Sequence, residues 1–367
     1  MGSLRYVFVS FSRGLFSHRA ASRWALVSVS CMTAMLAGCG SGTKSATAPS
    51  TPSPSTSASG PVITTPASNI GALQSPILFT GSVASTPDVD HSRVLLDGTS
   101  ILYGGILPMK NFQLFIPDGQ HTLVLAAYDK NDNELASTST PVDISGQVSP
   151  AHLSQLQNIP AWQFCTQDLA GTACASGLGQ SVSTQTQSVA TPSLSGSSAE
   201  FTLSGTQGYS NALWWVQLGG GTLLSKFTYD LDFYVNNPDV VEALEFDVNQ
   251  SYGGVRYTYG TECSYKNTHM WDVWDPQHLV WVPSSVPCPP VAANTWHHLT
   301  WQFERVNKQV HYISVTLDNV TRPVNLYLNP EPNWNKEDID VAFQMDGDSN
   351  QDPYNVWLDN VTLTASY

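Results

Sequence analysis

The sequence predicts an all-β protein, a small β-sandwich followed by a larger antiparallel jelly-roll sandwich. Three observations predict it. Apolar and polar residues alternate with period two over many short runs; Gly, Pro, Asn and Asp turn signals separate those runs; and no helical period persists beyond about two turns. The 367 residues, with Gly 26 and Pro 23, leave room for two domains that each bury a core.

Charge narrows the function classes. Lys+Arg 15 stand against Asp+Glu 29, and only 12% of residues are charged. Four of those bases fall in the first 38 residues, which hold no acid, so the rest of the chain carries a net −18. An acidic, sparsely charged surface repels a phosphate backbone, which excludes nucleic acid as a partner. With 10% aromatic residues the chain is also unlike a wholly disordered one.

Residues 1–38 read as an export signal. Arg5, Arg13, Arg19 and Arg23 precede an uncharged stretch from Trp24 to Gly38, a basic region followed by an apolar one shorter than the roughly 20 residues of a membrane span. Leu36-Ala37-Gly38-Cys39 resembles the lipobox of bacterial lipoproteins. That resemblance implies lipidation at Cys39 and a membrane anchor at the bacterial cell envelope, on the outer membrane or cell surface; the alternative is an uncleaved N-terminal anchor. Residues 39–72 read as a tether. Within residues 41–60, fourteen of twenty are Ser, Thr or Pro and none is aromatic, so the segment cannot bury enough apolar area to offset its ordering entropy.

Cysteines report the same compartment. Cys31 leaves with the signal and Cys39 takes the lipid, which leaves Cys165, Cys174, Cys263 and Cys288. An even number in an exported chain reads as two disulfides, with three possible pairings. Cys165–Cys174 and Cys263–Cys288 are favoured because each closes a local loop rich in Gly, Pro or Ser. Zinc is the rival, but no CxxC spacing is present.

Residues 73–146 alternate in short strands, Pro76–Val83, Arg93–Gly98, Phe112–Ile116, His121–Tyr128 and Ser137–Ile144, with Asp97-Gly98 and Pro117-Asp118-Gly119 at turns. Val94-Leu95-Leu96-Asp97-Gly98 and Pro117-Asp118-Gly119-Gln120-His121-Thr122-Leu123 resemble bacterial Ig-like modules of exported proteins, which implies a spacing or adhesion role. No catalytic constellation is visible in this unit.

Residues 160–367 change character. Ten of the eleven Trp lie there with all four remaining Cys. About ten strand candidates follow in series, which suggests two stacked antiparallel sheets. The sharpest is Glu242 to Gln250, Glu-Ala-Leu-Glu-Phe-Asp-Val-Asn-Gln. On a strand, Glu245, Asp247 and Asn249 share one face, while Leu244, Phe246 and Val248 share the other. A row of acid, acid and amide opposite an apolar row makes one face core and the other a polar floor. Paired carboxylates in different environments can serve glycoside hydrolysis, one as nucleophile and one as acid and base.

These residues resemble the concanavalin A-like lectin/glucanase superfamily. Laminarinase-type glucanases carry Glu-x-Asp-x-x-Glu on such a strand; Glu245 and Asp247 match its first two positions and Gln250 stands at the third. The resemblance implies Glu245 as nucleophile and Asp247 as its helper, with an acid from Glu262, Glu304 or Asp346. Legume-type lectins carry Glu-Phe-Asp there, with both acids on metal ions, and Glu245-Phe246-Asp247 matches that pattern too, although Ser251 and Gly253-Gly254 stand where its further ligands belong.

Flat aromatic rings beside carboxylates suit the C–H faces of sugars. Trp215, Trp271 and Trp274 are expected to face the groove with Gln250, whereas Trp296 and Trp301 are expected in the core. Asp346, Asp348, Asn350 and Asp352 alternate as oxygen ligands do in calcium loops, so calcium is the one cofactor suggested; no Gly at position six or Glu at position twelve makes the loop an EF-hand. His297 and His298, as strand neighbours, face opposite ways, one core and one surface. The reading is an exported surface lipoprotein whose jelly-roll binds a polysaccharide or glycan, neutral or cation-bridged. The alternatives are an endo-glucanase-like glycoside hydrolase and a structural or adhesion protein without a sugar site.

Overall fold

The structure is a computed structural model that describes residues 60–67, 71–104, 109–166, 181–220, 223–334 and 337–367. The signal at 1–38, Cys39, most of the tether and Cys174 lie outside the described residues. Among the described residues no helix is long and apolar enough to cross a membrane.

The chain is all-β, as its period-two runs predict. A three-stranded sheet (Val62–Thr65, Ile77–Ser82, Met109–Leu114) and a five-stranded sheet (Leu73–Ser75, His91–Leu96, Thr99–Gly104, Gly119–Tyr128, Glu134–Gln147) form the N-terminal unit. Phe79, Val94, Leu102, Phe112, Leu123 and Leu125 are buried between them. One boundary shifts. Val62–Thr65 lies within the predicted tether, yet it pairs antiparallel with Ile77–Ser82, so the sheet begins before the composition changes. Short Val-Ile-Thr-Thr sits on a sheet edge, where few side chains need to be large.

The C-terminal unit stacks a nine-stranded sheet on an eight-stranded one, a large antiparallel sandwich. In the nine-stranded sheet the strand Val241–Tyr252 is central, flanked by Asp338–Gly347 on one side and Thr261–Ser264 with Val255–Tyr259 on the other. Phe246, Trp214, Phe343 and Trp271 from this sheet meet Phe201, Phe233, Trp301 and Phe303 from the other, all buried. Their rings pack mostly edge-on or tilted, as with Phe201 on Trp214 at 5.1 Å and Trp271 on Trp301 at 5.3 Å.

Several strands escape the period-two rule. Ser181–Val189 and Val320–Leu328 are the two edges of the eight-stranded sheet, and Val280–Pro287 is an edge of the nine-stranded one. Their sequences are rich in Ser, Thr and Gln or broken by Pro. An edge strand packs one side only and tolerates a missing ladder donor, so it carries little of the usual strand signal.

Candidate functional site

The register of the central strand builds the site. Pairing with Asp338–Gly347 runs without interruption from Ala243 opposite Asp346 to Ser251 opposite Asp338. Residues directly opposite share a face, so each rung is fixed. One rung holds Leu213, Gln344, Glu245, Glu262 and Asp272; the next holds Trp215, Ala342 and Asp247; the next holds Gln217, Asp340, Asn249 and Thr258. The partner strand repeats the alternation of the first, with Asp338, Asp340, Gln344 and Asp346 on the polar face and Ile339, Val341, Phe343 and Met345 in the core. That alternation is visible in the residues from Asp338 to Asp346 and is the signal for Asp340 and Gln344, which belong to the site beyond the residues expected above.

Side chains on this face bond to one another and to backbone. Gln344 Nε2 donates to Glu245 Oε1, and to Asp346 Oδ1 at 3.1 Å and Oδ2 at 3.3 Å. Asp247 Oδ1 accepts the Thr261 N–H at 2.9 Å, and Asn249 Nδ2 donates to Asp340 Oδ1 at 2.8 Å. Arg256 lies 3.8 Å from Asp340 and covers the Trp334 ring at 4.7 Å. Thr268 Oγ1 donates to Asp272 at 2.9 Å.

Burial sets the proton affinities. Glu245 is 6% exposed and Asp247 9%. Burial pushes the Glu245 carboxyl well above the usual range, and the nearby Asp346, Asp247 and Glu262 push it further. Burial also raises Asp247 to about 7, against the Thr261 N–H, which favours the ion. Glu262 rises for the same reason, with Asp346 and Asp272 as like charges. Asp346 is raised to about 6 by burial despite hydrogen bonds from Gln344 and Asn211. A row of this kind holds protons near neutrality, so its carboxyls can donate as well as accept hydrogen bonds.

Three expected groove residues are placed elsewhere. Gln250 shares the parity of Leu244, Phe246 and Val248; with no bulge to turn it over, it is buried on the core face, where Nε2 donates to the Leu224 carbonyl at 2.8 Å. The third position of the glucanase-like motif therefore points away from Glu245. Trp271 is opposite Cys263 and packs in the core on Phe246 and Trp301. Trp274 lies on the polar side of its strand, but it is 4% exposed and packs edge-on against Trp281 at 5.2 Å. Trp215 is half-buried on the polar face, separated from Asp247 in its rung only by Ala342.

The second carboxylate is also decided by register. Glu304 is across the sandwich, opposite Lys226 and His311 on the outer face of the eight-stranded sheet, where His311 Nδ1 is 2.8 Å from its Oε1. Glu262, half-buried, is directly opposite Glu245, and Asp346 shares its Gln344 donor. His297 is buried against Asp318 and His298 lies outward beside Asp230 and Asp232, the opposed pair expected of strand neighbours.

The loop Asp346, Asp348, Asn350 and Asp352 does not converge. Asp346 joins the polar face, Asp348 Oδ1 accepts the N–H groups of Asn350 and Gln351 at 2.9 and 3.2 Å, and Asn350 and Asp352 are exposed. Among the described residues no group of three or more His, Cys, Asp or Glu side chains is placed to hold a metal ion. One oxygen of Glu245 and one of Asp247 each accept a protein N–H donor. The disulfide Cys263–Cys288 is formed as expected. Cys165 is also disulfide-bonded, and its predicted partner Cys174 lies outside the described residues.

Fold and face together define an all-β sandwich protein with a carboxyl-and-amide sheet face beside the half-buried Trp215, with half-buried Trp281 opposite Trp274 on the same side. No protein-family model and no curated protein sequence matches the chain. Among solved structures it is similar to a carbohydrate-binding module of the β-sandwich superfamily, at 9% identity over 83% of this chain and 98% of that one with a TM-score of 0.30. It is also similar to the cellulose-induced protein Cip1, at 11% identity over 55% of this chain and 90% of that one with a TM-score of 0.33. A third likeness is to fibronectin(III)-like modules of Clostridium thermocellum CbhA, at 20% identity over 24% of this chain and 99% of that one with a TM-score of 0.21. Scores this low leave function to the chemistry of the site.

Proposed function

We propose that this protein is an exported, lipid-anchored surface protein whose C-terminal sandwich binds a polysaccharide or glycan, carried on an N-terminal Ig-like module. The observation that carries the proposal is the row of Glu245, Asp247, Asn249, Gln344 and Asp340 across one sheet face, in which Gln344 bonds Glu245 and Asn249 bonds Asp340, with the Trp215 ring beside it. Carboxyls and amides that both donate and accept suit sugar hydroxyls, and an indole suits the apolar face of the ring. The disulfides support an oxidising compartment, and Cys39 supplies the anchor. The test is a glycan array probed with the purified protein, with calcium and with chelator. Retention that falls on Trp215→Ala and Asp247→Asn supports binding, and retention of no glycan under either condition overturns it. Retention only with calcium supports a cation-bridged glycan.

One observation favours a second reading. Glu245 faces Glu262 across the ladder and shares a donor with Asp346, so an acid and a carboxylate can coexist there, as glycoside hydrolysis requires. In that reading Glu245 is the nucleophile, Asp247 tunes it, and Glu262 or Asp346 carries the proton. Release of reducing ends from β-glucans that disappears in Glu245→Gln would establish it, and no release from the native protein would remove it.

A further inference from the structure

The two units meet through backbone as well as side chains. The Phe115 N–H donates to the Leu218 carbonyl at 2.8 Å, and the Gly220 N–H donates to the Phe115 carbonyl at 2.7 Å, a parallel bridge between Phe115 and Gly219. Phe115 is wholly buried and Leu218 is 1% exposed. Gly219 has φ +120, and a Cβ there would stand 2.1 Å from the Phe115 carbonyl oxygen, so no side chain fits while the bridge is made. Beside the bridge, Gly220 lies against Leu96 and Pro117. The linker is stitched down as well: Ala151–Leu153 pairs with the strand Tyr354–Ser366, and Val148 N–H donates to the Ser75 carbonyl at 2.7 Å. Buried apolar residues run without a break from one unit into the other.

The bridge leads directly to the polar face. Leu218 N–H donates to the Ile339 carbonyl at 2.7 Å, and Ile339 N–H donates to the Gly219 carbonyl at 3.2 Å. Leu218 follows the strand Asn211–Gln217, which carries Trp215. Asp340 follows Ile339 and holds Asn249. We infer that the N-terminal unit is a built-in part of the C-terminal sheet, and that Phe115 is a positioning residue for the face bearing Trp215 and Asp340. This goes beyond a spacer role, and its effect on ligand binding rests on the glycan reading above.

The unit works through geometry. A strand end that is hydrogen-bonded on both sides has few accessible states, so the Trp215 ring and the Asp340–Asn249 pair are held before a ligand arrives and less ordering entropy is lost on binding. Losing the bridge frees residues 218–220 and loosens both strands at the end nearest Asp340.

The test uses the full chain, native and as Gly219→Val, Phe115→Ala and the exposed control Leu135→Ser, with hydrogen exchange, calorimetry and binding of soluble laminarin. The native protein is expected to protect the amides of Phe115, Leu218, Gly220 and Ile339 with the core strands and to melt in one transition. Gly219→Val is expected to speed their exchange by about 100-fold or more, to split the melt in two, and to weaken laminarin binding about tenfold; Leu135→Ser changes none of these. Fast exchange at Phe115 in the native protein overturns the inference, as does a single melt with native protection in Gly219→Val. Should Gly219→Val not fold, the native exchange pattern and Phe115→Ala still decide it. Laminarin ignored by the native protein counts against the glycan reading alone, because exchange and melting still judge the joint.

Discussion

Gln344 donates its Nε2 to Glu245 and to Asp346, so one amide ties together two carboxyls on adjacent strands. Burial has removed most of the water around Glu245, and Asp346 is half-buried. Removing the donor while keeping the volume, as in Gln344→Leu, leaves the buried Glu245 oxygen short of a partner, while half-buried Asp346 keeps its Asn211 bond. The expected cost is about 1–3 kcal/mol of unfolding free energy, read from the urea midpoint at neutral pH. An unchanged midpoint would show that the bridge holds nothing.

The acids of this face make stability depend on pH with a defined sign. Burial raises Asp247 to about 7 and Asp272 and Asp346 to about 6, and the neighbouring Glu242, at the strand's irregular start, to about 7, above the ordinary carboxylate value of about 4. The folded protein therefore keeps protons that the unfolded chain has released. Stability from these groups is complete below the ordinary value and is lost as pH rises through 6 and 7. His298, where burial is outweighed by hydrogen bonds with Asp232 and Asp230, adds a loss of the same sign. Asp97 acts oppositely: the His121 hydrogen bond and the Thr122 N–H lower it, so its contribution is lost in acid. The melting temperature is expected to be higher near pH 5 than near pH 8, with the difference reduced in Asp247→Asn. A melting temperature that rises from the lower to the higher pH would contradict the assignment.

Much of this was legible in the residues, and the failures have physical causes. Glu245, Asp247 and Asn249 fall on one face because strand parity depends on nothing but spacing. The same rule, applied to Gln250, puts it in the core; a bulge alone could have brought it round, and the unbroken register shows none. Trp271 and Trp274 could not be sorted by composition, since a sandwich core and a sugar platform both use indoles. Asp340 and Gln344 were readable from alternation, but the Asp-Gly at Asp346-Gly347 resembles a loop and drew Asp346 away from the strand it ends. The joint at Phe115 was not readable, because it depends on backbone atoms of residues about 100 positions apart.

The Cys263–Cys288 disulfide ties the strand carrying Glu262 to the loop after Val280–Pro287. It closes a loop with a sequence separation of 25 residues, for which chain entropy predicts about 3 kcal/mol of stabilisation. Both sulfurs are buried, so reduction requires the edge of the sheet to open first. Mild reductant is expected to act slowly on the native protein and fast in partial denaturant, lowering the melting temperature once the bond is open. Fast reduction of the native protein without loss of stability would mean that the bond does not clamp this edge.

Trp215 and Trp271 separate ligand contact from packing. Trp271 is buried against Phe246 and Trp301, so Trp271→Ala opens a cavity between the sheets and is expected to cost about 3–5 kcal/mol. Its loss of glycan binding should follow its loss of folded protein and vanish when affinity is referred to the folded fraction. Trp215 is half-buried on the polar face beside Leu213 and Cys165, so Trp215→Ala removes a stacking surface and little of the core. Its expected effect is a small change in unfolding free energy with an affinity loss of about tenfold. Isothermal titration with laminarin, set beside urea unfolding of both variants, reads the two effects separately. Equal loss of affinity per folded molecule in both variants would place the ligand away from this face, because of the two only Trp215 reaches it.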